Sequence, residues 1–139
     1  MEEEVYPKNY IRRFDIFAEY NRLQALNKYK YSEDDAKAYG IAIAKVVAGR
    51  KFRKLFKTSH LSKSTLSSSE LENSQNNKWW RKFGSSKEFD KEIIDRMGRD
   101  FYEKVFSPAV QEAYKKGLKY IQIRDTLREE WNKKVKIKS

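Results

Sequence analysis

Few side chains in this sequence are of the types that most often catalyse reactions. The chain has one histidine, His60, in a polar stretch without a nearby carboxylate, and it has no cysteine, so neither a disulfide nor a thiolate metal site can form. Three aspartates follow one another at short intervals: Asp90, Asp95 and Asp100. Because lysines and arginines lie three and four residues from them, they are typical of ion pairs on a helix surface. No Gly-rich phosphate loop or nucleophile elbow occurs. The sequence therefore predicts a protein that is not an enzyme and that uses no cofactor or metal.

A different chemistry is suggested by the sequence NKWWRKF at residues 77–83, where two tryptophans stand among three cations. An indole can stack on a nucleic-acid base, a contact worth about 1–3 kcal/mol, while neighbouring cations bind phosphates. The alternative is that the indoles pack on the protein and hold the end of a loop. Adjacent side chains of a helix or strand point in different directions. We therefore expect one of Trp79 and Trp80 to be buried and the other to be exposed.

Positive charge is concentrated in the middle of the chain. The net charge is +11, and residues 45–87 hold 11 cations and 2 anions, whereas residues 1–44 sum to −1 and residues 88–139 to +3. A clustered basic region is the electrostatic pattern expected of a protein that binds a phosphate backbone. The residues predicted to contact nucleic acid lie in this region: Lys45, Arg50, Lys51, Arg53, Lys54, Lys57, Lys78, Trp79, Trp80, Arg81 and Lys82.

Two helices are predicted before the middle of the chain. The first begins near Pro7, since proline is tolerated at a helix start, and its apolar positions cover more than one stripe, so several neighbours or a partner must bury it. Ser32 as N-cap and Asp35 three residues later predict the start of the second helix. Beyond Gly49, at about 100° per residue, cations take the direction that was apolar. This change predicts an exposed cationic ridge at residues 50–57.

A polar connection and two further helices follow. Residues 58–78 are rich in serine and asparagine, which favours a flexible connection. Ser85 and Glu88 predict the N-terminus of the third helix. The third helix carries one apolar stripe, which consists of Phe89, Ile93, Met97, Phe101 and Val105. Ser107 and Pro108 predict that this helix stops and that a fourth begins.

The predicted fourth helix carries Gly117 and Trp131 on a broad apolar face. A glycine in such a face predicts a close crossing with another helix. Residues 132–139 then form a basic tail.

The fold class predicted from these elements is all-α, a single domain built as a bundle of four or five helices. The chain of 139 residues is long enough for one core, and its 5 glycines and 2 prolines are too few for a many-turned β fold. No apolar run approaches the ~20 residues of a membrane span. The N-terminal sequence MEEEVYPKNY lacks the apolar run of a secretory signal. These features predict a cytoplasmic protein with no membrane partner.

In its overall character the chain, which is small, free of cysteine, basic and helical, resembles the small subunits of CRISPR surveillance complexes. The stretches KVVAGRKFRKLFK and KWWRKF are the kind of basic surface that such subunits use. The resemblance implies a non-catalytic role in antiviral defence, in which copies stack along a larger ribonucleoprotein. There they line the groove that holds the guide–target duplex or the displaced DNA strand and contact its backbone. The resemblance assigns no role to an individual residue.

Two other functions fit the sequence. One is a protein–protein adaptor or structural subunit whose charge serves solubility, and the other is a stand-alone DNA-binding regulator, although no helix-turn-helix lies near the ridge. In the nucleic-acid interpretation, the partners are RNA or DNA and the other subunits of an assembly, including further copies of this chain. Because exposed apolar patches mark interfaces, we expect the first helix or the face around Trp131 to contact a neighbouring subunit.

Overall fold

The computed structural model describes residues 5–48 and 79–135, and the regular elements within these two ranges are all helices. Helix α1 spans Arg13–Asn27 and helix α2 spans Glu33–Ala48. A short 3₁₀ helix, Trp79–Lys82, precedes helix α3, which is α-helical at Ser86–Phe89 and π-helical at Asp90–Asp95. Helix α4 consists of Arg99–Phe101, a π-helical stretch Tyr102–Phe106, and Ser107–Lys115. Helix α5 spans Tyr120–Lys133. The predicted all-α bundle of four or five helices is confirmed, with five helices in these ranges.

Several predictions fall outside the described residues and stay predictions. They are the change of direction beyond Gly49, the ridge residues Arg50, Lys51, Arg53, Lys54 and Lys57, the lysine Lys78, the histidine His60, the connection at residues 58–78, and residues 136–139 of the tail. In the described part of the tail, residues 132–133 belong to helix α5.

Helix α1 is the central helix, and α2, α4 and α5 all pack against it. These neighbours pack on different sides of α1, so the apolar residues that the helix carries on more than one stripe are all buried or partly buried. Ile16 and Leu23 are buried in the main core, while Phe17 and Tyr20 pack against that core half-buried. Helix α2 approaches most closely at Gly40, where a Cβ atom would overlap the Ala18 carbonyl oxygen. The first of the two expected explanations, burial by several neighbours, therefore holds for this helix.

Helix α1 begins at Arg13, six residues later than the predicted start near Pro7. The segment before it uses its backbone groups in other contacts: the Lys8 amide donates to the Met97 carbonyl oxygen at 2.9 Å. The helix start is set by Asp15, whose carboxylate accepts from the Arg12 amide at 2.8 Å and so caps the first turn. Because Asp15 is the third residue of the helix, this cap places the start well beyond Pro7.

The starts of α2 and α3 agree with the predictions. The Ser32 hydroxyl oxygen accepts a hydrogen bond from the Asp35 amide at 3.2 Å, and the Ser85 hydroxyl oxygen accepts one from the Glu88 amide at 3.2 Å. Each serine therefore caps its helix by satisfying one of the amide groups that the first turn leaves without an intrahelical partner.

The predicted boundary between the third and fourth helices is wrong. The helices are separated at Gly98, whose φ of +100° lies in a region that residues with a Cβ rarely adopt. Ser107 does not cap a helix, because it lies inside α4 and its hydroxyl faces the protein interior. Pro108 is tolerated there because a π-helical stretch precedes it, so the regular α-helical hydrogen bonding is already interrupted.

The close helix crossing that was predicted at Gly117 is wrong. The φ of Gly117 is +83°, this glycine follows Lys116, the C-cap residue of α4, and a Cβ atom there would meet nothing within 4 Å. Gly117 therefore ends α4 by adopting the left-handed backbone conformation that commonly terminates helices. The apolar residues on its two sides belong to two different helices.

The face around Trp131, expected to contact a neighbouring subunit, lies in the core instead. Trp131 is 5% exposed, and its ring packs against Phe106 and Phe101 at centroid distances of 5.1 and 5.7 Å. A tryptophan placed at this aromatic contact joins α5 to α4. Trp131 is therefore not available to a partner in this fold.

None of the helices in residues 5–48 and 79–135 combines the length and the apolar character needed to cross a lipid bilayer.

Candidate nucleic-acid interface

Of the two adjacent tryptophans, Trp80 is the buried one. Its side chain is fully buried, and its ring lies 5.5 Å from the ring of Tyr31 and 6.2 Å from that of Tyr39. The expectation that one indole packs on the protein is confirmed for Trp80, which therefore cannot stack on a base in this conformation. The side chain of Trp79 lies outside the described part of the chain.

Two of the predicted phosphate-binding cations are paired with carboxylates. The Lys45 ammonium forms an ion pair with Glu88, and the Arg81 guanidinium forms one with Asp35 at 2.9 Å. These pairs hold the start of α3 and the 3₁₀ helix against α2. Lys45 and Arg81 therefore each have a carboxylate partner in this fold. Lys82 is exposed.

A groove that was not predicted lies between the N-terminus of α1 and the outer face of α5. Its volume is about 490 Å³. The lining residues comprise four cations, two carboxylates and one amide: Arg13, Arg124, Arg128, Lys133, Asp125, Glu129 and Asn132. We refer to this site as the arginine groove. It was missed because its arginines lie in the two outer parts of the chain, where the charges nearly balance, and more than 100 residues separate its two sides.

The base of the arginine groove is held by hydrogen bonds to the backbone of Ile11. The Asn132 side chain accepts from the Ile11 amide at 2.6 Å and donates to the Ile11 carbonyl oxygen at 3.2 Å. The Arg128 Nε donates to that same carbonyl oxygen at 3.0 Å. Arg128 makes no other hydrogen bond or ion pair with the described residues, so its two terminal nitrogens remain available. The guanidinium of Arg128 is therefore positioned by the protein, and its terminal N–H groups can donate hydrogen bonds to a ligand.

Tyr120 fixes the other end of the groove. Its hydroxyl donates to the Arg13 carbonyl oxygen at 3.1 Å, and its ring packs edge-on against Phe17 at 4.8 Å. Burial raises the pKa of Tyr120, which keeps the hydroxyl protonated as a donor. The Arg124 guanidinium carbon lies 5.8 Å from the centre of the Tyr120 ring, and the Arg124 Nε donates to Asp125 at 2.9 Å. Arg13 is exposed, and it makes no side-chain hydrogen bond or ion pair within the described ranges.

The second candidate site is a buried polar cluster between α1 and α4, centred on Glu19. The fully buried Glu19 carboxylate accepts from Arg22 at 2.8 and 2.7 Å, from the Tyr102 hydroxyl at 2.6 Å and from the Ser107 hydroxyl at 2.7 Å. Arg22 also donates to Glu33 at 2.7 Å. Four donors on one carboxylate leave little capacity for a substrate. We conclude that this cluster, which we call the Glu19 cluster, holds α1 against α4.

The π-helical stretch of α4 makes this cluster possible. Tyr102 and Ser107 are five residues apart, a spacing that places side chains about 140° apart on an α-helix. In a π-helix, hydrogen bonds join residues that are five apart, so such residues lie nearly above one another. Both hydroxyls can therefore reach Glu19.

The ionisation states in the Glu19 cluster follow from burial and charge. Burial, and then the negative charge of Glu19, raise the pKa of Tyr102, so its hydroxyl stays a donor. Burial alone would lower the pKa of Arg22, but the hydrogen bonds and the charge of Glu19 more than offset this and raise it. Arg22 therefore remains a cation in the folded protein.

No three histidine, aspartate or glutamate side chains come together as a possible metal site within residues 5–48 and 79–135. Comparison with protein-family models, with curated proteins and with solved structures finds no match to this chain.

Proposed function

We propose that this chain is a non-catalytic, nucleic-acid-binding subunit of a larger cytoplasmic nucleoprotein complex, and that it contacts the phosphate backbone without sequence specificity. The observation that carries the proposal is the excess of cations, 31 lysines and arginines against 20 aspartates and glutamates, with most of the net charge in residues 45–87. Such an excess attracts polyanions and supplies the sequence-independent part of nucleic-acid binding.

The geometry favours contacts to phosphates over contacts to bases. Trp80, one of the two aromatic candidates for base stacking, is buried in the protein. The arginine groove, by contrast, offers guanidinium groups, whose planar donors match phosphate oxygens. Contacts of this kind position a strand but carry no sequence information. We therefore expect binding that depends on strand length and salt and only weakly on base sequence.

The resemblance to the small subunits of CRISPR surveillance complexes suggests the assembly. In this proposal several copies of the chain line a ribonucleoprotein and hold either the guide–target duplex or the displaced DNA strand. The groove and the predicted ridge at residues 50–57 face the nucleic acid, while Lys45 and Arg81 are paired with carboxylates.

The proposal is tested by equilibrium binding of the full chain to fluorescein-labelled RNA and DNA oligonucleotides of equal length and unrelated sequence. We expect affinities that differ little between sequences of one strand type and that fall steeply between low and moderate salt, because bound phosphates release counterions. Polyglutamate of matched charge is the control: its carboxylates also accept paired arginine donors, so it tests whether the chain prefers a phosphodiester strand to another polyanion. Absence of binding at low salt would refute the proposal. Equally tight binding of polyglutamate would reduce it to a general attraction for polyanions.

A further inference from the structure

We propose that the arginine groove binds the phosphodiester backbone of a nucleic-acid strand through the guanidinium groups of Arg13, Arg124 and Arg128. This inference rests on the proposed function and assigns it to a place on the described surface. The groove volume of about 490 Å³ lies within the range of about 300–1,000 Å³ that is usual for ligand sites in proteins.

The three arginines are arranged as a preformed set of donors. Arg124 and Arg128 are four residues apart on α5, so they lie on one face with their Cβ atoms about 5–6 Å apart. Arg13 lines the same groove from the first residue of α1. The hydrogen bond from Arg128 to Ile11 and that from Tyr120 to the Arg13 backbone hold the two helices at a fixed separation. Positions fixed in this way reduce the entropy that the protein loses on binding.

The carboxylates in the groove favour a phosphodiester over a small, highly charged anion. Asp125 and Glu129 are 63% and 78% exposed, and each stands beside a cation, with Asp125 at 2.9 Å from Arg124 and Glu129 at 3.9 Å from Lys133. These carboxylates would repel a free phosphate, which carries up to two negative charges at neutral pH, more strongly than a singly charged phosphodiester. A strand carries one negative charge per phosphate and can pass along the groove so that its phosphates meet the arginines in turn.

Two double variants of the full chain test the inference. The groove variant is Arg13→Gln with Arg124→Gln, which spares Arg128 because that residue holds Ile11. The control is Lys91→Gln with Lys104→Gln, which removes the same charge from exposed positions that do not line the groove. The probe is a fluorescein-labelled oligothymidylate, and its binding is measured over a salt series. Thermal melts followed by circular dichroism establish that both variants are folded.

Each phosphate contact to a single strand contributes about 0.7 to the slope of log affinity against log salt. Loss of two contacts should therefore make the slope shallower by about 1.4 and weaken binding about 25-fold near 0.1 M salt. The control variant should bind within about 3-fold of the unmodified chain, because neither lysine lines the groove and salt screens exposed charges. Arg13→Lys with Arg124→Lys retains the charge and should recover most of the slope but less of the affinity.

The outcomes separate the groove from the proposed function. If the unmodified chain binds neither this probe nor RNA oligonucleotides of the same length, the proposed function is wrong. If it binds and the groove variant binds equally well, or if the two double variants lose the same affinity, only the assignment to the groove is overturned. A competition with inorganic phosphate at constant ionic strength distinguishes a strand from a small anion. Displacement of the strand by millimolar phosphate would contradict the assignment, and retention of the strand would support it.

Discussion

The Glu19 cluster allows a quantitative prediction about the core. Glu19→Gln keeps the shape of the side chain but removes the negative charge, which leaves Arg22 as a cation that is 5% exposed. Breaking a buried ion pair by removing one partner costs about 3–5 kcal/mol. Arg22 retains its 2.7 Å contact with Glu33, whose side chain is 54% exposed, so we expect the lower end of that range, about 3 kcal/mol. For a chain of this size the loss lowers Tm by about 10 °C.

Urea unfolding followed by circular dichroism measures this change in the free energy of unfolding. Glu103→Gln is the matched control, because it removes a carboxylate that pairs with Arg99 at 3.5 Å on the surface. That exposed pair is worth less than about 1 kcal/mol. The double variant Glu19→Gln with Arg22→Met should be more stable than Glu19→Gln alone, because it removes the buried charge that has lost Glu19.

A loss in Glu19→Gln no larger than that in Glu103→Gln would refute this reasoning. So would a double variant less stable than Glu19→Gln, because Arg22 would then contribute stability that does not depend on its pairing with Glu19. The first result would mean that Glu19 and Arg22 are hydrated, and that α1 and α4 do not pack as described.

Two further predictions concern aromatic residues. Trp80→Ala should lower the free energy of unfolding by about 3–5 kcal/mol. Trp80→Phe should leave oligonucleotide affinity unchanged, because the ring is buried. Weaker binding by Trp80→Phe at unchanged stability would show that this indole stacks on bases. Burial raises the pKa of both Tyr39 and Tyr102, so both stay protonated in the folded chain while an unfolded tyrosine ionises near pH 10. The stability is then unaffected below about pH 10 and falls above it by about 1.4 kcal/mol per pH unit for each residue. Tyr39→Phe should remove one of these contributions from urea unfolding measured against pH, and tyrosinate absorbance from all tyrosines of the folded chain near pH 10 would contradict the prediction.

The features predicted correctly from sequence depend on interactions between residues close together in the chain. The caps at Ser32 and Ser85 join groups three residues apart, so residue type and spacing suffice to predict them. The burial of one indole in the Trp79–Trp80 pair also follows from local geometry. The all-α class follows from apolar spacing and the scarcity of glycine and proline. Each of these is a short-range property of the sequence.

The features that could not be predicted depend on contacts between distant segments. Ser107 has the residue type of a helix cap, but it lies inside a helix. Its hydroxyl donates a hydrogen bond to Glu19, 88 residues earlier, and does not cap the helix. The third and fourth helices are separated at Gly98 and not at Ser107. The apolar stripe continues across Gly98, so the spacing of apolar residues did not indicate a helix end there. Trp131 was misjudged because its partners Phe101 and Phe106 lie in another helix. The arginine groove was missed because its two sides come from opposite ends of the described chain.

The most direct test of the central claim is the salt slope of oligonucleotide binding by the unmodified chain. If the chain contacts at least six phosphates of a single strand, the slope of log affinity against log salt should be about −4 or steeper, and it should be the same for unrelated sequences of that strand type. A slope near zero, or a slope that changes with base sequence, would contradict the account.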